Sequence, residues 1–161
     1  MGLDATWLLR KREKLLPNLN YTNTLGVFTL TGDLGLSWKH NAFISWRNDD
    51  WNFTLTQIFR SSYRNQALPG SFARPDYNPR VSPYVTYNFL ITYSGLIDGL
   101  KLTAGVRNIF DRDPPFAITY DSNTGAGSSW EPRVADPRGR SFVAGMASFP
   151  ASSSRRSRQR R

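Results

Sequence analysis

The sequence has no cysteine, so it holds no disulfide and no thiolate ligand, which suits export to an oxidising compartment. No run approaches the roughly 18 apolar residues that a membrane-spanning helix needs, which excludes a helical span within these residues. Histidine is nearly absent: the single one, His40, lies beside Trp38 and Lys39 at a strand start, a position that reads as interfacial rather than as a base or ligand. Gly125, Gly127 and Gly139 do not form a phosphate cradle, because no strand-to-helix context surrounds them. Asp111, Asp113, Asp121 and Asp136 match no recognised calcium-loop spacing, and turn formation accounts for each separately. The chain is therefore read as a non-enzyme without catalytic residues, cofactor or metal site.

Basic charge is in excess, but more than half of the excess is local. Over 161 residues, 21 Lys+Arg against 12 Asp+Glu give +9, a balance that alone would suit a nucleic-acid binder. Arg155, Arg156, Arg158, Arg160 and Arg161 sit in the stretch 151–161, which has no acidic residue; residues 1–150 keep 16 basic against 12 acidic groups, or +4. That body needs no polyanion. The stretch 151–161 reads as a disordered basic tail, and no nucleic-acid partner is expected.

What the chain does have is aromatic side chains at alternate positions. Phe, Trp and Tyr make up 14% of the residues while mean hydropathy is only −0.48. A strand with one face to lipid and the other to water has this composition. A period of two predicts antiparallel strands at 3–11, 38–48, 50–63, 84–95, 99–110 and 139–149, paired in sequence order into one curved sheet. The fourth is the clearest: Val85, Tyr87, Phe89, Ile91 and Tyr93 fall on one face against Thr86, Asn88, Thr92 and Ser94. Each is near the roughly 9–11 residues with which a tilted strand crosses a bilayer.

The connections alternate in length. Those at 48–50 and 95–99 are short, whereas 12–37, 64–84 and 111–140 are long and polar, as in outer-membrane barrels with short periplasmic turns and long outer loops. On this pattern Trp7, Trp46, Phe53, Leu55, Tyr87, Phe89, Ile91, Leu102 and Met146 are expected to face lipid. Trp38, Trp51, Tyr63, Tyr84, Tyr93 and Phe110 are expected at headgroup boundaries, and Arg10, Arg47, Arg60, Lys101 and Arg107 on the inward face.

The last third of the chain is the most specific. An alternating strand runs into Asn108, Ile109, Phe110 and Asp111, then Asp113, Pro114, Pro115 and Phe116; a Gly/Ser-rich loop follows, and Asp136, Pro137, Arg138, Gly139 and Arg140 precede the final strand. These two segments, in this order before a last strand, resemble the carboxyl end of TonB-dependent outer-membrane receptors. The resemblance runs from about residue 2 to 150, weakly at first and strongly after Asn78.

That likeness implies an all-β fold: about six strands of a barrel of about 22, an open curved sheet in isolation, with residues 1–150 as partial barrel and 151–161 as tail. It implies outer-membrane localisation and TonB-powered uptake of a ligand such as an iron chelate. Implied partners are outer-membrane lipid, the remaining receptor strands and a plug encoded separately, TonB acting through that plug, and the barrel-assembly machinery reading the last strand. Residues 1–14 show no signal-peptide pattern, and neither plug nor TonB-contact segment is expected in this stretch. The terminal signal, carried by Phe142, Gly145, Met146 and Phe149, is expected to be weak. Aligned through Phe142 and Gly145, its outward positions are Phe142, Ala144, Met146, Ser148 and Pro150; ending on Phe149 instead puts Val143, Gly145 and Ala147 outward. A soluble β-rich protein with a nucleic-acid-binding tail, and a different outer-membrane barrel such as a porin or adhesin, stand as alternatives.

Overall fold

The computed structural model describes residues 1–14, 16–29, 33–65, 79–119 and 127–149; the tail at 151–161, Asp121 and Gly125 lie outside them. Among the described residues there is no helix. The strands are β1 (Gly2–Trp7), β2 (Arg12–Glu13), β3 (Thr22–Asn23), β4 (Trp38–Asn48), β5 (Trp51–Arg60), β6 (Tyr63–Arg64), β7 (Arg80–Val81), β8 (Tyr84–Tyr93), β9 (Leu100–Arg107) and β10 (Ser141–Ser148). Six of them form one antiparallel sheet in the order β1-β4-β5-β8-β9-β10, each long strand beside the next in the chain. The sheet is not closed: β1 and β10 each have one neighbour.

Local chemistry sets the strand ends. Between Asn48 and Trp51, which pair, the chain reverses over Asp49 and Asp50, and Asp49 has φ 48, a conformation that aspartate tolerates better than bulky residues. Gly99, at φ 82, closes the other short link. The two links touch, because Ser94 donates to the Asp50 carbonyl through its backbone N–H at 2.9 Å and its hydroxyl at 3.1 Å. At the opposite end β9 stops at Arg107 because Asn108 takes φ 49, which breaks the extended backbone.

Four differences from the expected elements have physical causes. The strand expected at 3–11 leaves the sheet after Trp7, and Arg12–Glu13 pair instead with Thr22–Asn23, so the first long connection holds its own small hairpin. The strand expected at 50–63 ends at Arg60, and Tyr63–Arg64 pair with Arg80–Val81 across the second connection. The strand expected at 99–110 ends at Arg107, because Asn108 leaves the extended region at φ 49. Finally, the last strand begins at Ser141 rather than 139, since Gly139 has φ 66.

The buried core lies beyond the sheet rather than on it. Leu34, Leu36, Tyr63, Val81, Tyr84, Ala117, Val134 and Ala135 form one cluster, with Phe28 packed against it. All three long connections contribute, so they converge at the end of the sheet away from the short turns. Backbone bonds tie them together: Arg64 donates to Gly26 and Phe28 to Arg64, while Ile118 donates to the Asn65 side chain.

Candidate functional site

Directly opposed residues in an antiparallel sheet share a face, so the register sorts every side chain. Leu3, Ala42, Gln57 and Tyr87 form one row across four strands, and Ile44, Leu55, Phe89 and Val106 form another. Trp46, Phe53, Ile91 and Ala104 form a third, and Tyr93 pairs with Leu102, which pairs with Met146. Trp7 opposes Trp38 on the same side. All nine residues expected toward lipid thus lie on one face.

The other face is mainly polar, with Phe43, Ile58, Leu90 and Val143 set among its hydrophilic residues. Asn41, Ser45 and Arg47 of β4 share it with Asn52, Thr54, Thr56 and Arg60 of β5, Asn88 and Thr92 of β8, and Lys101, Thr103 and Arg107 of β9. Ser45 bonds Thr54 at 2.9 Å and Thr92 bonds Thr103 at 3.3 Å, so hydroxyls pair across strands. Of the five cations expected inward, Arg47, Arg60, Lys101 and Arg107 are on this face; Arg10 lies outside any strand.

Aromatic rings gather at both ends of the apolar face. Near the short turns Trp46 stacks on Phe53 and Trp51 lies 4.3 Å from Tyr93 between centroids. Toward the long connections Trp7 meets Trp38 edge-on, His40 stacks on Phe59 at 5.1 Å, and Phe110 stands edge-on to Tyr87. Within this second group Trp38 Nε1 donates to His40 Nδ1 at 2.8 Å, and His40 Nε2 lies 3.0 Å from Gln57 Oε1. Gln57 Nε2 in turn donates to the Tyr87 hydroxyl at 2.7 Å. Two expected boundary residues are elsewhere: Tyr63 and Tyr84 are 3% and 4% exposed in the loop-end core. The core claims them because their rings lie where the connections converge.

The register separates the two frames of the last strand. Phe142, Ala144 and Met146 oppose Val106, Ala104 and Leu102 and so join the apolar face. Gly145 opposes Thr103 on the polar face, and Phe149 carries Lys101 Nζ over its ring at 4.8 Å.

The two sequence segments on either side of the third connection meet at the head of β10. Asn108 is buried: its side chain accepts from the Arg112 N–H and donates to the Arg112 carbonyl, both at 2.9 Å, while its own N–H donates to Asn88 Oδ1. Asp111 Oδ1 accepts the Arg140 N–H at 2.6 Å. A Cβ on Gly139 would stand 2.8 Å from that oxygen, so only glycine fits there without displacement. Asp136 accepts from the Arg138 backbone and guanidinium, which lowers the Asp136 pKa. The Tyr84 hydroxyl lies 3.5 Å from the Arg112 carbonyl and 3.4 Å from that of Asp136, within reach of both segments. Phe110 and Phe116 are exposed; Ile109 donates its N–H to the Tyr87 carbonyl at 2.9 Å, Asp113, Pro114 and Pro115 follow in irregular backbone, and Pro137 lies in the turn before β10.

One polar pair went unread in the sequence. Glu131, 4% exposed, accepts a two-pronged bond from Arg133, Nε to Oε1 and a terminal nitrogen to Oε2, each 2.8 Å. Arg133 also reaches the Thr29 carbonyl at 2.9 Å and lies over the Phe28 ring, so the pair fastens the third connection to the first. Burial alone would raise the Glu131 pKa, but the Arg133 bonds and charge outweigh it and the net shift is downward. Adjacency in Glu-Pro-Arg was the available signal, and a two-residue spacing is too common to single out. No group of His, Cys, Asp or Glu placed to hold a metal ion occurs among the described residues.

No protein-family model and no curated protein sequence matches the chain. Solved structures do. A single-residue variant of the ferric enterobactin receptor of Pseudomonas aeruginosa superposes with a TM-score of 0.50 at 21% identity, covering 70% of this chain and 16% of that one. A doubly substituted variant of the same receptor gives 0.50 at 20%, with the same coverage. A ferric citrate transporter gives 0.46 at 20%, too low to add to the argument. The chain therefore spans about one sixth of the length of the receptors it matches, and its six-stranded sheet has the fold of a piece of a β-barrel receptor.

Proposed function

We propose that residues 1–150 form the carboxyl-terminal strands of the barrel of a TonB-dependent outer-membrane receptor, and that the basic stretch 151–161 is no part of that barrel. One observation carries the reading: the sheet has an apolar face and a polar face, and among the described residues nothing covers the apolar one. Leu3, Trp7, Ile44, Trp46, Phe142 and Met146 are all more than half exposed there. In water this arrangement is unfavourable; in a bilayer it is the lipid contact of a barrel wall. From Trp38 to Trp46 the face spans roughly 26 Å along the strand, or about 20 Å of height at the roughly 40° tilt of barrel strands, most of the roughly 25 Å apolar band of outer-membrane barrels, and rings stand at both limits.

On this reading the polar face lines the lumen, the long connections face outward from the cell, and the plug and remaining strands come from sequence outside these residues. The barrel-assembly machinery would read β10 through Phe142 and Met146, and TonB would act through the plug. The ligand class is an iron chelate, supported by the fold shared with a ferric enterobactin receptor. The role is uptake and not catalysis.

Dilution of the urea-unfolded chain into phosphatidylcholine vesicles tests the membrane reading. Strand circular dichroism that appears only with vesicles, together with protease protection of the strands 38–60 and 84–107 but not of the connection between them, is expected. A chain that folds to a soluble monomer without lipid or detergent would favour the soluble β-rich alternative.

A further inference from the structure

Polar side chains are out of place on the apolar face unless each one is satisfied, and four of them, Trp38, His40, Gln57 and Tyr87, are joined into one hydrogen-bonded chain across β4, β5 and β8. The chain has a fixed direction. Indole N–H can only donate, so His40 Nδ1 accepts and the proton of the neutral ring sits on Nε2. Gln57 Oε1 accepts that proton, which turns the amide nitrogen toward the Tyr87 oxygen. The Tyr87 hydroxyl proton is then left at the end of the chain, and among the described residues it has no acceptor. Phe110 packs edge-on against the Tyr87 ring at 5.5 Å between centroids.

Tyr87 lines one end of a groove of about 580 Å³, within the range of roughly 300–1,000 Å³ that ligand sites occupy. Ala42, the small member of its row, leaves the depression. From Gln57 and Tyr87 the groove runs past Leu55 and Ile44 toward Leu3 at the β1 edge, apolar throughout after its first two residues. One polar end with an available donor followed by an apolar run matches an ester-linked acyl chain.

We propose that this groove is a specific lipid site: one acyl chain lies across β5 and β4 toward Leu3, and its ester carbonyl accepts the Tyr87 hydroxyl proton. The inference rests on the membrane reading of this face and adds to it a single ordered lipid with a defined contact. The hydrogen-bonded chain supplies the preorganisation, since Gln57 holds the Tyr87 oxygen as an acceptor and leaves its proton for an acceptor in the groove.

The test uses two phosphatidylcholines of equal chain length, one diester and one diether, the latter lacking the carbonyl. The full chain is folded in vesicles holding both in equal amounts, extracted in mild detergent, and the retained lipid is measured by mass spectrometry. The expected result is roughly fivefold enrichment of the diester lipid, the factor that one ordinary hydrogen bond supplies. Tyr87→Phe should abolish the enrichment and Tyr93→Phe, at the other aromatic group, should leave it. Equal retention of both lipids by the unaltered chain, or enrichment that survives Tyr87→Phe, overturns the proposal while leaving the membrane reading intact. A chain that never associates with the vesicles overturns both.

Discussion

Asp111 and Arg140 stand 29 residues apart, and the carboxylate of the first accepts the backbone N–H of the second at 2.6 Å. The bond joins the turn that ends β9 to the residue just before β10, so it starts the last strand in register. Asp111→Ala is expected to destabilise the head of β10 by about 1.5 kcal/mol, the low end for a bond to a charged acceptor because the site is exposed. Gly139→Ala should cost roughly 1–2 kcal/mol through its left-handed backbone. Amide hydrogen exchange checks both: protection of Arg140, Ser141 and Val143 should fall while that of β4 and β5 is unchanged.

Glu131 gives the loop-end core a pH dependence whose sign follows from its lowered pKa. A carboxylate with a depressed folded-state pKa stabilises the fold at pH above its unfolded value, and that stabilisation is lost as pH falls below about 4.5 through the folded value. Acid titration by near-ultraviolet circular dichroism should show loosening of the core in that window, and Glu131→Gln should flatten the curve. At neutral pH Glu131→Ala should cost about 2 kcal/mol, less than for a fully buried pair because Arg133 is a third exposed.

Leu55 and Thr54 are neighbours on opposite faces, so the same charge placed at each separates the two sides. Leu55→Arg is expected to cost about 2–4 kcal/mol of vesicle insertion, the range for a cation at the bilayer midplane, and Thr54→Arg close to nothing. Folding yield against lipid concentration measures the difference. Equal losses would place both faces in the same medium.

The unpaired edges should drive self-association. The Phe149 N–H bonds the Gly99 carbonyl and the Leu8 N–H the Ser37 carbonyl. By alternation, Phe142, Ala144, Met146 and Ser148 on β10, and Leu3, Ala5 and Trp7 on β1, point their backbone groups away from the sheet. Ala144→Pro and Ala5→Pro therefore remove edge donors without removing a ladder bond. In detergent the unaltered chain should be oligomeric and the double variant mostly monomeric at unchanged strand content, as read by light scattering.

The sheet was legible in the sequence because its physics is local and periodic. Trp51, Phe53 and Leu55 alternate with Asn52, Thr54 and Thr56, and a one-residue slip would reverse both faces. The loop-end core was not, since Leu34, Val81, Ala117 and Val134 have no common period and meet only after the connections converge. Tyr63 and Tyr84 show the limit well: a ring near a strand end suits a headgroup boundary or a core equally, and only the fold of the neighbouring connections decides. The Glu131 clasp was hidden for the same reason, because its partner on the first connection, Thr29, is 104 residues away from Arg133.

The central claim is that alternate residues of each strand meet lipid and water, and the absence of cysteine allows a direct measurement. Single cysteines at 52 to 56 of β5 and 88 to 92 of β8 would carry a nitroxide label in vesicles, and relaxation by oxygen would be compared with relaxation by a water-soluble nickel chelate. The account predicts a period of two, with Phe53, Leu55, Phe89 and Ile91 positions favouring oxygen and Asn52, Thr54, Thr56, Asn88 and Thr92 favouring the chelate. Equal access to the chelate at both sets, or the reverse phase, would contradict it.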